Sequence, residues 1–197
     1  MNTQLPTLVM ATNNPHKLHE IREILEGQYR VMSLDEIGCH DDIPETAETL
    51  EGNALIKARW VKERYGYDCF ADDTGLEVEA LGGAPGVYSA RWAGPGCTPA
   101  DNVAKMLRVM QGQSNRRARF RTVIALIKDG KETLVDGTVD GEILDKPVGD
   151  NGFGYDPIFS PSNSGVSFAQ MTDEQKNSIS HRGRATRALL QHLANTQ

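Results

Sequence analysis

The pattern that most constrains the fold is an alternation of short apolar strands with amphipathic helices near the start of the chain. Thr7–Ala11 is a short apolar run typical of a buried strand. After a polar turn, Leu18, Ile21 and Leu25 follow helical spacing until Gly27, where the helix is expected to end. This alternation indicates an α/β fold.

A stronger helical pattern follows and leads into further strands. The helix is expected to end at Gly66, and its apolar face consists of Leu50, Ala54, Ala58, Val61 and Tyr65. Tyr67–Ala71 is strand-like, and Leu76–Leu81 alternates apolar and acidic residues in the manner of a separate, half-exposed strand. Residues 7–81 thus predict both strands and helices.

A hairpin in the middle of the chain makes the predicted sheet a mixed one. Arg119–Ile127 has the pattern of a strand, and the Asp129-Gly130 turn joins it to a second strand at Glu132–Val139. Strands joined by such a turn pair antiparallel, so the fold class is α/β with a central mixed β-sheet. No linker rich in Pro, Gly or Ser divides the chain, which predicts one domain over residues 1–197.

Capping signals predict two further helices. Thr98 is an N-cap residue, Pro99 suits the first helical position, and Asp101 is an acid placed to complete the cap. Thr172–Gln175 resembles a capping box, and apolar spacing from Ala185 to Leu193 predicts a terminal helix.

Net charge and composition narrow the partners and the compartment. The chain holds 27 acidic and 21 basic residues, a net charge of −6, which argues against bulk binding to DNA, RNA or an anionic membrane. It shows no basic leader before an apolar stretch and no run of about 18 apolar residues, so neither a signal peptide nor a membrane span is predicted. Three widely spaced cysteines fit neither a disulfide framework nor a zinc site, and the expected location is the cytoplasm.

The adjacent carboxylates Asp72 and Asp73 are the first candidate site. They are expected just after the Tyr67–Ala71 strand, in an Asp-Asp-Thr-Gly turn. Carboxylate oxygens are ligands that Mg²⁺ takes, usually one or two together with substrate phosphates. Asp and Gly also favour solvated turns, so the pair alone leaves a metal site and a plain bend open.

Two lysines lie where a bound anion would explain them. Lys17 stands in a first helical turn, where the helix dipole disfavours a cation and backbone N–H groups are available to an anion. Lys57 follows Asn53 by one turn at the border of the apolar helix face, so it either reaches a site or extends its ammonium group to solvent. Glu45, in the acidic loop before this helix, is a further candidate.

The loop Gly152–Pro157 surrounds Phe153 with glycines. Glycine permits a close approach of the backbone to a ligand, and Phe153 or Tyr155 offers a ring for stacking on a base. Plain hairpin loops are also rich in glycine, so this loop alone is weak support for a site.

The last candidate cluster consists of Lys176 and the string Ser178–Gly183. Ser180 has the character of an N-cap, which places His181 and Arg182 in the first turn of the terminal helix. Cations at a helix N-terminus are disfavoured unless an anion or carbonyl binds there, although a solvated basic surface is the alternative.

Several common sites are excluded. The chain holds no G-x-x-x-x-G-K-[ST] loop, no G-x-G-x-x-G that opens a helix and no H-E-x-x-H, which rules out Walker, dinucleotide and zinc-protease sites. It also lacks a G-x-S-x-G elbow, so hydrolysis through a serine or cysteine nucleophile is disfavoured.

Seven segments, taken in order, cover nearly the whole chain: Ala11–Lys17, Glu45-Thr46, Asn53–Ala58, Ala71–Leu76, Gly82–Arg91, Gly152–Pro157 and Ser178–Gly183. Together these segments resemble the inosine/xanthosine triphosphate pyrophosphatase family, which clears nonstandard purine nucleotides. The glycine loop with its Tyr-Ser-Ala-Arg tail and the Ser-His-Arg-Gly string are the most specific of these.

The resemblance implies an elongated, two-lobed fold with a central mixed β-sheet flanked by helices, an active site in the cleft between the lobes, and a homodimer. It implies Mg²⁺-dependent hydrolysis of ITP, dITP and XTP to the monophosphate and pyrophosphate. Glu45 and Asp73 would bind Mg²⁺, Asp73 would also accept the proton of the attacking water, and Asp72 would support it or a second ion. The implied nucleotide contacts are Thr12, Asn13, Asn14, Pro15, His16, Lys17, Thr74, Phe153, Gly154, Tyr155, Asp156, Lys176, His181 and Arg182.

Phosphoryl chemistry agrees with this assignment. In-line attack of water between the α- and β-phosphates requires cationic charge on the phosphate oxygens and an oriented carboxylate. Lys17, Lys57 and Lys176 would supply that charge. Arg182 or backbone N–H groups would donate to the purine O6 and leave the 6-amino group of adenine facing a donor.

Departures from the family pattern are few, and two rival functions remain. Thr74 stands where Ser is commoner, and Asn13 and His16 occupy positions that are often Gly, which alters the turn. One rival is a related pyrophosphatase of the septum-inhibitor type, which acts on other modified nucleotides. That type lacks the C-terminal Ser-His-Arg-Gly pattern, so the presence of this pattern here speaks against it. The other is a nucleotide-binding regulator without turnover, which would need no base at Asp73.

Overall fold

The structure is a computed structural model and describes residues 4–196. Over these residues the strands are β1 (Thr7–Met10), β2 (Arg30–Met32), β3 (Cys69–Val78), β4 (Pro85–Gly86), β5 (Arg117–Lys128), β6 (Lys131–Ile143) and β7 (Phe159–Pro161). The α-helices are α1 (Pro15–Leu25), α2 (Leu50–Tyr65), α3 (Pro99–Val109), α4 (Asp173–Ile179) and α5 (His181–Asn195). Residues 1–3 and 197, which the single-domain prediction includes, lie outside the described residues.

The strands form one mixed sheet in the order β2-β1-β3-β5-β6-β7, with β4 paired to β3. β1 runs parallel to both β2 and β3, whereas β3 with β4 and β6 with β7 are antiparallel. The predicted hairpin is present, because Asp129 and Gly130 both have positive φ and connect β5 to β6. The prediction of an α/β fold with a central mixed sheet is confirmed.

The chain groups into two compact units. The first contains the described residues up to Asp73, Thr122–Gly137 and the residues from Arg182 onward; the second contains Thr74–Arg121 and Thr138–His181. β3, β5 and β6 therefore each contribute residues to both units.

In the first unit, α1 and α5 pack their apolar faces on β1, β3 and β5. The buried cluster includes Leu8, Ile21, Phe70, Ile124 and Leu189. α1 begins as predicted with Pro15 in its first turn, and α2 ends at Gly66, whose φ of 76° closes the helix in the left-handed conformation.

In the second unit, α3 and several aromatic rings form a separate core. Met106 and Met110 lie against a group that contains Phe120, Phe159 and Phe168. The rings of Phe120 and Phe159 meet edge to face with centroids 4.6 Å apart. The capping box predicted for α3 is present, since the Thr98 and Asp101 side chains each bond the other's backbone N–H.

The prediction of a strand that ends before Asp72 and a separate strand from Leu76 is wrong. β3 runs without a break through Asp72–Gly75, and Glu79–Leu81 forms a 3₁₀ turn in place of a strand end. A Cβ at Gly75 would lie 2.6 Å from the carbonyl oxygen of Gly86, so glycine here allows β4 to approach β3 closely. The residue therefore serves strand packing and not a turn.

Cys39, Cys69 and Cys97 are free thiols, and the first two are buried. No helix among the described residues combines the length and the apolar character needed to cross a bilayer.

Candidate active site

The continuity of β3 places Asp72 and Asp73 on opposite faces of one strand. Their exposed fractions are only 1% and 7%, so both carboxylates are withdrawn from bulk solvent. A plain solvated bend, the alternative left open by the sequence, does not describe this pair.

Asp72 is held by two cations. Lys17 Nζ donates to Asp72 Oδ1 at 3.2 Å, and Arg182 Nε donates to Asp72 Oδ2 at 3.3 Å. Burial alone would raise the pKa of Asp72, but the charges of Lys17 and Arg182 outweigh it and hold that pKa well below its usual range. Asp72 is therefore ionised at neutral pH.

Arg182, the second residue of α5, has a second carboxylate partner in Glu20 on α1. Both side chains are buried, and the exposed fraction of Arg182 is 2%. Glu20 was not among the residues predicted from the sequence, although it lies beside Ile21 and five residues before Leu25, two apolar residues of the same helix. The ion pairs of Arg182 join α5, α1 and β3.

Asp73 shares a second lysine with Glu45. Lys57 Nζ donates to Glu45 Oε1 at 2.8 Å and lies 4.0 Å from Asp73 Oδ1. Burial raises the pKa of Asp73 to about 6, with the negative charge of Glu45 adding to the rise and the positive charge of Lys57 opposing it. Asp73 is therefore a stronger base than its neighbour Asp72.

Lys57 extends into this cluster and not to solvent. Its exposed fraction is 8%, and Nζ also donates to the backbone carbonyl of Asp72 at 2.6 Å. Burial would lower the pKa of Lys57, but the surrounding carboxylates more than compensate and raise it. The lysine is therefore charged at neutral pH.

Glu45 and Asp73 fit a Mg²⁺ ion. Both carboxylates approach the ammonium group of Lys57, and the repulsion between them contributes to the raised pKa of Asp73. A divalent cation would relieve this repulsion. Their oxygens are the hard donors that Mg²⁺ prefers.

The turn before α1 is held by its own side chains. Asn14 is the N-cap, and its Oδ1 accepts from the backbone N–H groups of His16 and Lys17. Thr12 Oγ1 accepts from Asn14 N at 3.1 Å, and Asn13 Oδ1 accepts from Asp35 N at 2.9 Å. Pro15 has no N–H, so Asn14 already engages two of the helix donors that were expected to face an anion.

In the second unit, Asp156 organises the glycine loop. Its Oδ2 accepts from Lys176 Nζ at 2.7 Å and from Phe153 N at 2.9 Å. Gly152 has φ +72°, and a Cβ there would lie 2.1 Å from Asp156 Oδ2. The buried ammonium group of Lys176 is thus paired with Asp156, and it lies 4.7 Å from the centroid of the Phe153 ring.

Of the two rings in this loop, Phe153 is the more exposed. Tyr155 is buried, its hydroxyl donates to the carbonyl of Ser89 at 2.7 Å, and burial raises its pKa. Phe153 is half-buried. His181 is buried and stacks on Phe120, with ring centroids 4.6 Å apart.

A family model described as the Ham1 family matches residues 8–192. The chain belongs to the Ham1 family.

Relatives in the Ham1 family match almost end to end. A protein of Flavobacterium psychrophilum named dITP/XTP pyrophosphatase is 52% identical over 95% of this chain and 99% of its own. One of Porphyromonas gingivalis with the same name is 55% identical over 94% and 96%. The solved Ham1 protein of Coxiella burnetii has a TM-score of 0.88 and 38% identity over 97% of this chain and 100% of that one.

In this Ham1 chain the predicted site residues fall into groups within each unit. The first unit brings together Lys17, Glu45, Lys57, Asp72, Asp73 and Arg182. The second brings together Phe153, Asp156 and Lys176, while Thr74 follows Asp73 in β3, Gly154 has φ +61°, and Tyr155 and His181 lie in its core.

Proposed function

We propose that this chain hydrolyses the nonstandard purine nucleotides ITP, dITP and XTP to the monophosphate and pyrophosphate. The relatives that bear the name dITP/XTP pyrophosphatase support the substrate class. The observation that carries the chemistry is the convergence of Glu45 and Asp73 on Lys57, with the pKa of Asp73 raised to about 6.

Asp73 is the proposed general base. A carboxylate with a pKa near 6 is mostly ionised at neutral pH and accepts a proton from water more readily than an ordinary Asp does. Its place beside Glu45 allows it to orient the attacking water toward the α-phosphate.

The cations of the first unit are proposed to bind the triphosphate. Lys17 is held by Asp72, and Lys57 is held by Glu45, so both ammonium groups have defined positions before substrate arrives. Mg²⁺, when held by Glu45 and Asp73, would supply Lewis-acid charge on the phosphate oxygens and lower the pKa of water. Phe153 in the second unit is the proposed surface for the purine ring.

The test is pyrophosphate release across a panel of nucleoside triphosphates, with and without Mg²⁺. Release from ITP, dITP and XTP well above ATP and GTP is expected, and it should require the metal. Equal activity on ATP or GTP would refute the substrate assignment, and activity without metal would refute the mechanism.

A second measurement separates the enzyme from a regulator that binds nucleotide without turnover. Asp73→Asn should abolish hydrolysis of ITP while ITP binding, measured by calorimetry in Ca²⁺, stays within about tenfold of wild type. A variant with unchanged hydrolysis would exclude Asp73 as the base.

We also propose a cytoplasmic homodimer, in keeping with the family resemblance and the three free thiols. Sedimentation at several protein concentrations tests the dimer, and a monomer at the highest concentration would contradict it.

A further inference from the structure

The loop that carries Glu45 has no regular secondary structure from Cys39 to Ala47. Its carboxylate is nevertheless a proposed metal ligand, and a ligand must be held closely to bind an ion well. Contacts that hold the end of this loop lie on α2, the helix that follows it.

Asn53 makes the first of these contacts. The side chain is fully buried, and its Oδ1 accepts a hydrogen bond from the backbone N–H of Ala47 at 2.9 Å. Ala47 lies two residues after Glu45, and Lys57, one helical turn beyond Asn53, bonds the Glu45 carboxylate itself. One helix face therefore holds both the backbone and the side chain of this segment.

Gly52 makes the second contact through its lack of a side chain. A Cβ at this position would lie 2.5 Å from the Cβ of Ala47, closer than packed atoms approach. The backbone of Gly52 lies within an α-helix, where alanine is preferred, so conformation alone does not call for glycine. The close approach of Ala47 to the helix explains it.

We propose that Gly52 and Asn53 form a seat on α2 that positions Glu45 for metal binding. The inference rests on the proposed function, because it takes Glu45 as a ligand of the ion. Gly52 lets the loop approach the helix, and Asn53 fixes the position of the loop backbone by accepting the hydrogen bond from Ala47 N. The Glu45 carboxylate is thereby held beside Asp73. Both are positioning residues that touch neither the ion nor the nucleotide.

The experiment measures Mn²⁺ binding by electron paramagnetic resonance and hydrogen exchange of the loop in the full chain. Asn53→Ala removes the acceptor for Ala47, and Gly52→Ala displaces Ala47 while favouring the helix. Each variant should bind Mn²⁺ about tenfold or more weakly than wild type, the usual effect of losing an outer-shell partner. Amides of residues 40–47 should exchange faster in both, while kcat for ITP at saturating metal stays near wild type.

Asn102→Ala is the matched control. Asn102 is also a buried helical asparagine that holds a loop, since its Oδ1 accepts from Ala93 N at 2.8 Å and its Nδ2 donates to Ala90 O at 3.0 Å. It belongs to the second unit, so its loss should leave Mn²⁺ affinity and exchange of residues 40–47 unchanged.

The outcomes separate this inference from the proposed function. A wild-type chain that binds no Mn²⁺ would refute the metal site and the seat together. If Gly52→Ala and Asn53→Ala both bind Mn²⁺ as tightly as wild type, the inference about the seat is overturned and the metal site is not. A loss in Asn102→Ala equal to that in Asn53→Ala would also overturn it, because the effect would then follow general destabilisation. Gly52→Ala removes no hydrogen bond and keeps the test valid if Asn53→Ala fails to fold.

Discussion

Replacing Asp73 by Asn should make the metal-free protein more stable while it destroys the proposed catalytic base. Asp73 is buried, and its ionised form is opposed by burial and by the charge of Glu45. An amide of the same size removes the charge and keeps most of the packing. A gain in stability is the opposite of what most substitutions of buried residues produce.

The magnitude follows from the pKa. Folding raises the pKa of Asp73 from 3.8 to about 6. At 1.36 kcal/mol per pKa unit, keeping this group ionised costs the folded state about 3 kcal/mol at neutral pH. For a domain of this size, its removal should raise Tm by about 6 to 12 °C.

The pH dependence has a definite sign. Below 3.8 both the folded and the unfolded chain hold the proton, so the penalty is absent. It grows as pH rises toward 6, because the unfolded chain loses the proton first, and it is complete above 6. The excess Tm of Asp73→Asn over wild type should therefore be largest near pH 7 to 8 and vanish toward pH 4.

The neighbouring substitution Asp72→Asn is the control and should have the opposite effect. The pKa of Asp72 is lowered on folding, so its ionised form stabilises the protein above 3.8, and this contribution is lost as pH falls through the folded value. Its loss removes the carboxylate that pairs with both Lys17 and the buried Arg182, at a cost of about 3 to 5 kcal/mol.

The assay is thermal unfolding of both variants and wild type in EDTA between pH 4 and 8. Added Mg²⁺ should then stabilise wild type and leave Asp73→Asn almost unchanged. If Asp73→Asn lowers Tm at pH 7.5, or if both variants change Tm in the same direction, the electrostatic account of the pair is wrong.

Three further substitutions probe other residues of the two groups described above. Asp156→Asn leaves the buried ammonium group of Lys176 without its carboxylate and should lower the free energy of unfolding in urea by about 3 to 5 kcal/mol. Gly152→Ala forces a Cβ toward Asp156 Oδ2 and should raise KM for ITP about tenfold or more in steady-state assays. Lys57→Met removes the cation that favours ionised Asp73, so the acidic limb of the kcat/KM profile should move to higher pH.

Each of these has a control on the surface. Glu132→Gln breaks an exposed ion pair with Arg59 and should cost less than about 1 kcal/mol. Gly165 has a similar positive φ of +71°, but a Cβ at this position would contact no atom of the described residues beyond its own chain neighbours. Gly165→Ala should therefore leave KM for ITP unchanged. Lys62→Met removes a lysine of α2 that bonds Asp68 and should leave the pH profile in place. A control that behaves like its partner would contradict the corresponding prediction.

Features with local causes could be predicted from the sequence. The Thr98–Asp101 capping box, the end of α2 at Gly66 and the Asp129-Gly130 hairpin depend on neighbouring residues, and all three are confirmed. The path of β3 could not be predicted, because Gly75 has the signature of a turn and only its contact with Gly86 shows its use in packing.

The ion-pair partners of the charged site residues could not be predicted from local sequence patterns either. Arg182 and Glu20 are separated by 162 positions in sequence, so no spacing rule joins them. The Lys57 side chain points into the site because its ammonium group reaches Glu45 and the carbonyl of Asp72. Whether these partners lie within reach depends on how α2 packs, and the sequence pattern does not show that. Identifying which residues carry charge was feasible; identifying which charges meet required the fold.

The burial of β3 on both faces has a consequence for how the chain finds its strand pairing. Cys69, Phe70 and Ala71 are all fully buried, so their apolar character gives little preference for one register over a shift by one residue. Asp72 differs, because only the observed pairing of β1 with β3 directs it to Lys17 and Arg182. We expect this ion-paired carboxylate to fix the register of the central strand, so that a chain folded out of register would lose stability and would also misplace Asp73, the proposed metal ligand.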